Sequence, residues 1–266
     1  MKIAFSTLGC PGWSWDDILS TARDFDFDGI EVRGMGNEIY VPKAAPFLEK
    51  NAETAKERLK KLRLEIPVLT SACYLFESGN GDENLKEGSD YIDLASRLGV
   101  PYVRVLGDRS PEPGKDVDLG VVAENLRKLA PLAAEKGVAL LVETNGVLAD
   151  SDRMLELLKA VGAGNVKVLW DVHHPFRFFG EAVAETWSAL KDYIKFVHIK
   201  DSVVENGAIK YKMMGYGDVP VKEALLLLKK EGYDGYVSLE WVKRWCMDLE
   251  EPGVVFSHFA NYVRSI

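Results

Sequence analysis

The chain has 266 residues, enough for one large α/β domain or two small ones, and its 47% hydrophobic and 28% charged residues are the balance of a globular protein. A formal net charge of −8 argues against a nucleic-acid partner, because a phosphate backbone calls for a basic surface. No apolar run approaches the roughly 20 residues that span a bilayer, and Cys10, Cys73 and Cys246 are too few and too scattered for a disulfide framework.

The chain opens directly on a predicted strand, Lys2 to Thr7, leaving no room for a signal peptide, so a cytoplasmic location is expected. Gly9, Cys10, Pro11, Gly12 and Trp13 make a turn-rich loop, after which Ser14 or Asp16 caps a helix carrying Ile18, Leu19, Ala22 and Phe25. Asp28-Gly29 ends it, and Ile30 to Arg33 is the second strand. A helix from Ala52 to Leu64 leads to a third strand over Glu65 to Ala72. A helix from Leu85 to Leu98, stopped by Gly99, precedes the fourth strand, Pro101 to Leu106.

The second half repeats the unit. The helix Leu119 to Glu135 precedes the strand ending in Glu143, and the helix Ser151 to Val161 precedes Val166 to Asp171. A helix from Ala182 to Tyr193 leads to the strand holding His198. Gly215 to Pro220 is then a loop, with Asp218 or a neighbour capping the helix Val221 to Glu231. Tyr236 to Glu240 is the eighth strand, and a helix from Val254 to Ser265 closes the chain. Eight strand–helix units, with strands apolar on both faces, predict a single-domain (β/α)8 TIM barrel over residues 1–266.

Four of the later strands end in a residue able to bind a metal: Glu143, Asp171, His198 and Glu240. One acid after a strand is more often a helix cap, and one buried histidine a hydrogen-bonded core residue. Four at the same topological position, about one βα unit apart, point together to an ion on the catalytic rim of a barrel. Three carboxylates and an imidazole suit manganese first, then magnesium, cobalt or zinc.

His174 and Lys200 stand on the same rim as candidates to orient a substrate oxygen; Arg33, Arg104 and Arg244 are candidates for an anion or a salt bridge. His173 either packs or faces away, and His258 reads as structural. Trp13, Trp241 and Trp245 are candidate pocket walls. Gly215-Tyr-Gly217 lacks the further glycine and preceding strand of a phosphate cradle.

The set Val-Glu143-Thr-Asn, Trp-Asp171-Val-His-His174-Pro, Val-His198-Ile-Lys200-Asp201, Gly215-Tyr-Gly217-Asp-Val-Pro and Leu-Glu240-Trp resembles the xylose isomerase-like TIM-barrel superfamily. It is similar to the branch holding single-metal ketose 3-epimerases, hydroxypyruvate isomerase-like proteins and inosose dehydratases. The resemblance implies that Glu143, Asp171, His198 and Glu240 ligate the metal. It also implies that Glu143 and Glu240 form the acid/base pair and that His174 holds a substrate oxygen. Two positions depart from the ketose 3-epimerase pattern: Val204 stands where an arginine is found six residues after the ligand histidine, and Ala149 replaces a glutamate.

The expected activity is metal-dependent isomerisation or epimerisation of a sugar or keto-polyol, by proton transfer through an enediolate. Its rivals are a dehydratase of a keto-sugar or inosose on the same scaffold, an endonuclease IV-like phosphodiesterase, and a non-catalytic sugar-binding barrel. The expected partners are the small-molecule substrate and, at most, further copies of the chain.

Overall fold

In chain order the strands are β1 (Lys2–Ser6), β2 (Gly29–Glu31), β3 (Val68–Tyr74), β4 (Tyr102–Leu106), β5 (Ala139–Glu143), β6 (Val166–Asp171), β7 (Ile194–Ile199), β8 (Asp201–Glu205), β9 (Ala208–Lys212) and β10 (Tyr236–Leu239). The helices are α1 (Trp15–Asp24), α2 (Glu49–Leu62), α3 (Gly81–Leu98), α4 (Leu119–Glu135), α5 (Ser151–Val161), α6 (Val183–Leu190), α7 (Val221–Lys230) and α8 (Pro252–Ser265). This is a computed structural model, and it describes residues 1–77 and 81–266.

The chain divides into two units, one made of Met1–Pro67 with Val197–Ile266 and the other of Val68–Phe196. In the second unit β3, β4, β5 and β6 pair in parallel in that order, with Arg104 beside Leu141 and Glu143 beside Leu169. Leu140, Leu141 and Val142 are all fully buried, so both faces of β5 are covered, as parallel strands require. Asp150 caps α5 by accepting from the Arg153 N–H, and Gly162 ends it at φ +66°, the left-handed conformation glycine tolerates best.

In the first unit β1 pairs in parallel with β2 and with β10. Phe5 on β1 stacks on Phe256 of α8 at 4.2 Å between ring centres, and Phe27 stacks on Phe259 at 6.1 Å. Ser14 is the α1 cap: its hydroxyl accepts from the Asp17 N–H, and the Asp17 carboxylate accepts from the Ser14 N–H in return.

Several boundaries differ from the sequence reading, each for a physical reason. β2 stops at Glu31 because the Arg33 N–H donates to the Thr7 hydroxyl, which itself donates to the Gly34 carbonyl. A side chain has replaced the next strand partner. β3 starts at Val68, after Pro67, whose nitrogen has no hydrogen to give a ladder. Glu65 instead bridges Gly29 in the first unit.

The hairpin β8–β9 was not expected. Its turn is Asn206-Gly207, both at positive φ (52° and 76°), the pair that two-residue hairpin loops favour. Asp218 does not cap α7; Pro220 occupies that position without a side-chain bond. The preceding loop is instead wrapped on the Asp201 carboxylate, which accepts from the N–H groups of Ser202, Gly215, Gly217 and Val219. A Cβ on Gly217 would lie 2.0 Å from Asp201 Oδ1, so glycine is required there by the acid. The glycines thus cradle a carboxylate of this chain. His258 packs in α8 and bonds the Met214 carbonyl at 2.8 Å, a structural place as expected.

Candidate active site

In the second unit the candidate residues gather around His174. Glu143 ends β5 and Asp171 ends β6. The side chain of Thr144, next after Glu143, accepts from the Asp171 N–H at 2.8 Å and donates to the Asp171 carbonyl at 3.2 Å. The two strand ends are therefore pinned by one hydroxyl. His174 Nδ1 stands 2.9 Å from the Thr144 carbonyl. A carbonyl only accepts, so Nδ1 carries a hydrogen, and Nε2 stands 3.6 Å from Asp171 Oδ2. The Glu143 Oε1 atom is 3.9 Å from His174 Nδ1, and its Oε2 is 3.3 Å from Arg104 Nε.

Arg104 lies mid-strand in β4 rather than at its end. It is 5% exposed, and its guanidinium offsets the charge of the equally buried Glu143. His173 is fully buried beside His174 and Phe178, so it packs. Its backbone N–H donates to Asp171 Oδ1 at 2.9 Å, which fixes the acid's orientation.

In the first unit a second cluster centres on His198. Lys200, 1% exposed, donates from Nζ to Glu240 Oε2. The other oxygen, Oε1, is 3.6 Å from His198 Nδ1. Two donors, each about 2.1 Å from a common ion, stand roughly 3–3.5 Å apart, so this pair has nearly the spacing of co-ligands. His198 Nε2 is 2.9 Å from Glu31 Oε2, which also accepts from the Ser238 hydroxyl at 2.7 Å.

Glu31 was not among the sequence candidates. Its signal was there: it too ends a barrel strand in an otherwise apolar run.

The remaining arginines are placed differently. Arg33 is buried just beyond β2, whereas half-buried Arg244 donates to the Gly36 carbonyl at 2.8 Å. Trp241 is fully buried and Trp245 is largely exposed. Trp13 lines a cleft of about 730 Å³ in the first unit, together with Trp15, Met35, Lys43 and Arg58, but the cleft contains none of the candidate site residues. Cys10 and Cys73 offer no nucleophile: burial pushes the Cys73 thiol up to about 12 and raises Cys10 further, so both stay protonated.

A family model described as xylose isomerase-like TIM barrel matches residues 19–257. The chain belongs to that family. The (β/α)8 barrel expected from the sequence is its fold, and the alternation of strand and helix runs through both units. Among curated proteins it is similar to the fructoselysine 3-epimerase of Escherichia coli O157:H7, 24% identical, covering 95% of this chain and 93% of the relative. Among solved structures it is similar to the probable 3-DHS dehydratase AsbF of Bacillus anthracis, at a TM-score of 0.79 and 19% identity over 99% of each chain. The D-psicose 3-epimerase of Clostridium cellulolyticum H10, solved with D-tagatose, is similar at a TM-score of 0.78 and 17% identity, covering 100% of this chain and 99% of that one. Both likenesses speak to the fold. Among the described residues no helix is long and apolar enough to cross a membrane.

Proposed function

We propose that the protein is a divalent-metal-dependent isomerase or epimerase of a sugar or keto-polyol, with Glu143, Asp171, His198 and Glu240 as the metal ligands. The observation that carries this reading is the set itself: three carboxylates and an imidazole, all buried, each at or next to the end of a family-barrel strand. Burying that much negative charge costs several kcal/mol per ion unless a cation offsets it. Arg104 and Lys200 each serve one glutamate, and the donor set suits a further divalent cation, manganese first.

When bound, the ion supplies Lewis-acid polarisation of a substrate carbonyl, which acidifies the neighbouring C–H. The protein's own groups do the proton work. Glu143 and Glu240 are the acid/base pair, one removing the proton and the other returning one to the opposite face or the adjacent carbon. Each glutamate has one oxygen held by a buried cation, Arg104 or Lys200, so its orientation is set before substrate arrives. His174 Nε2 is an acceptor for a substrate hydroxyl, its tautomer set by the Thr144 carbonyl. Lys200, Arg33, Arg104 and Arg244 complete the proposed substrate-binding set.

The curated relative's name, a 3-epimerase of a sugar derivative, supports a sugar as substrate. A net charge of −8 supports it over a nucleic acid, and three free thiols accord with the reducing cytoplasm, where we place the protein.

A dehydratase is the second reading, favoured by Lys200: an ammonium beside Glu240 can protonate a departing hydroxyl, which epimerisation does not need. A sugar and keto-polyol panel in deuterated water with added manganese separates the two. Epimer or isomer carrying deuterium at the reacting carbon is expected. An unsaturated product absorbing in the ultraviolet moves the assignment to the lyase. No exchange and no product across the panel overturns both.

A further inference from the structure

We propose that Glu31 is a positioning residue for the metal site: its carboxylate holds the Nε2–H of His198 and so presents the Nδ1 lone pair as the ligand atom. The inference deepens the metal reading above and rests on it, although its core, the state of His198, is measurable in protein without metal.

Glu31 and His198 are 167 residues apart in sequence and 2.9 Å apart in space. Both are essentially fully buried, at 1% and 0% exposure. Two groups bond the same oxygen, Oε2: His198 Nε2 at 2.9 Å and the Ser238 hydroxyl at 2.7 Å. An ionised carboxylate can only accept, so Nε2 must carry a hydrogen. In the neutral ring the lone pair is then on Nδ1, the atom that faces Glu240 Oε1 at 3.6 Å. The carboxylate therefore selects which nitrogen can bind a cation and restrains rotation of the ring. Partners of this kind, one shell out from a metal, typically govern 10–100-fold in affinity.

A purely structural role fits less well. A buried acid on a three-residue strand carries a large desolvation cost. An apolar residue in its place would carry no such cost. Ser238 adds a second donor to the same oxygen from β10, two residues before Glu240, so the proposed ligand strand also helps to hold the carboxylate.

The test has two arms. In the first, the histidine ring nitrogens of ¹⁵N-labelled, metal-free protein are read by NMR, with His198→Asn identifying the signal among four histidines. A hydrogen on Nε2 is expected in the metal-free protein, and zinc should then shift Nδ1 while Nε2 stays protonated. An Nδ1–H tautomer, or zinc binding through Nε2, overturns the proposal. This arm stands even if manganese proves not to be the resident ion.

In the second arm, manganese dissociation constants are compared for wild type, Glu31→Leu and Glu31→Gln, with circular dichroism confirming the fold. The leucine variant should bind 10–100-fold more weakly. Glutamine retains an acceptor oxygen and should recover most of that loss. A folded leucine variant with wild-type affinity overturns the role. Should the leucine variant not fold, Glu31→Ala, which removes the acceptor, is compared in wild-type and His198→Ala backgrounds. A loss confined to the chain with His198 supports action through the imidazole; an equal loss in both overturns it, because Glu31 then acts on the ion directly.

Discussion

Glu143 and Glu240 are chemically alike, but their neighbours are not. Glu143 faces Arg104, which never gives up its proton, whereas Glu240 faces Lys200, which can. Under saturating manganese, Glu143→Gln and Glu240→Gln should each lower turnover at least about 10²-fold, the usual contribution of a positioned acid or base. Near wild-type rates in both variants with metal bound would move the acid/base work to His174 and Lys200. Lys200→Met distinguishes the two proposed reactions: it should depress dehydration more than deuterium exchange, and equal losses would remove the argument for a lyase. Metal content provides a separate check on the ligands. Asp171→Asn and His198→Ala should each lower occupancy from about one ion per chain, and full occupancy in both would refute the assignment.

At the scale of the element, two carboxylates away from the chemistry hold the fold. Asp201 ties the loop before α7 to the start of β8 through three backbone N–H groups of that loop. Asp201→Ala leaves buried donors without their acceptor and should cost about 3 kcal/mol or more, read as a lower midpoint in urea with unchanged slope. A loss below about 0.5 kcal/mol would mean that water replaces the acid at little cost.

At the other end of the strands Glu65 accepts from the Tyr236 hydroxyl at 2.5 Å and from Lys2 at 2.9 Å. The Tyr236 hydrogen bond, then Lys2, hold the Glu65 carboxyl below its usual range, while burial and then Glu65 raise the Tyr236 phenol. The signs differ. Glu65 stabilises fully above its unfolded value, about 4.3, and loses that contribution as pH falls through the lowered folded value. Tyr236 stabilises fully below its unfolded value, about 10, and loses that contribution as pH rises toward the raised folded one. The stability gap between wild type and Tyr236→Phe, about 1 kcal/mol, should therefore be flat from about pH 5 to 9 and shrink outside that window. A gap that changes between pH 6 and 8 would contradict this pairing.

For the whole molecule, the single domain expected from the sequence predicts one cooperative urea transition, with probes in Met1–Pro67 and in Val68–Phe196 reporting the same midpoint. Separate midpoints would make the two units independent domains. Because the proposed ligands end strands of an already packed core, chelation should abolish activity yet leave the far-ultraviolet dichroism unchanged. Unfolding by chelator at room temperature would mean that the ion is structural.

By itself the sequence determined the alternation of strand and helix. Runs such as Val138 to Val142 have the continuous apolar pattern of inner parallel strands, and the caps at Ser14, Gly99 and Gly162 are local chemistry. The proposed ligands became candidates for the same reason: an acid or histidine that ends an apolar strand stands out against its neighbours. The Asn206-Gly207 hairpin was equally local and could have been read, because that pair is itself a turn signal. Only tertiary structure decided which partner each buried charge has. Glu31 meets His198 from 167 residues away, Arg104 reaches Glu143 from the neighbouring strand, and Asp201 takes the N–H groups of a loop more than ten residues later. Hydrogen bonds and ion pairs act over about 3 Å, and no periodicity along the chain records which distant residues folding will bring within that reach.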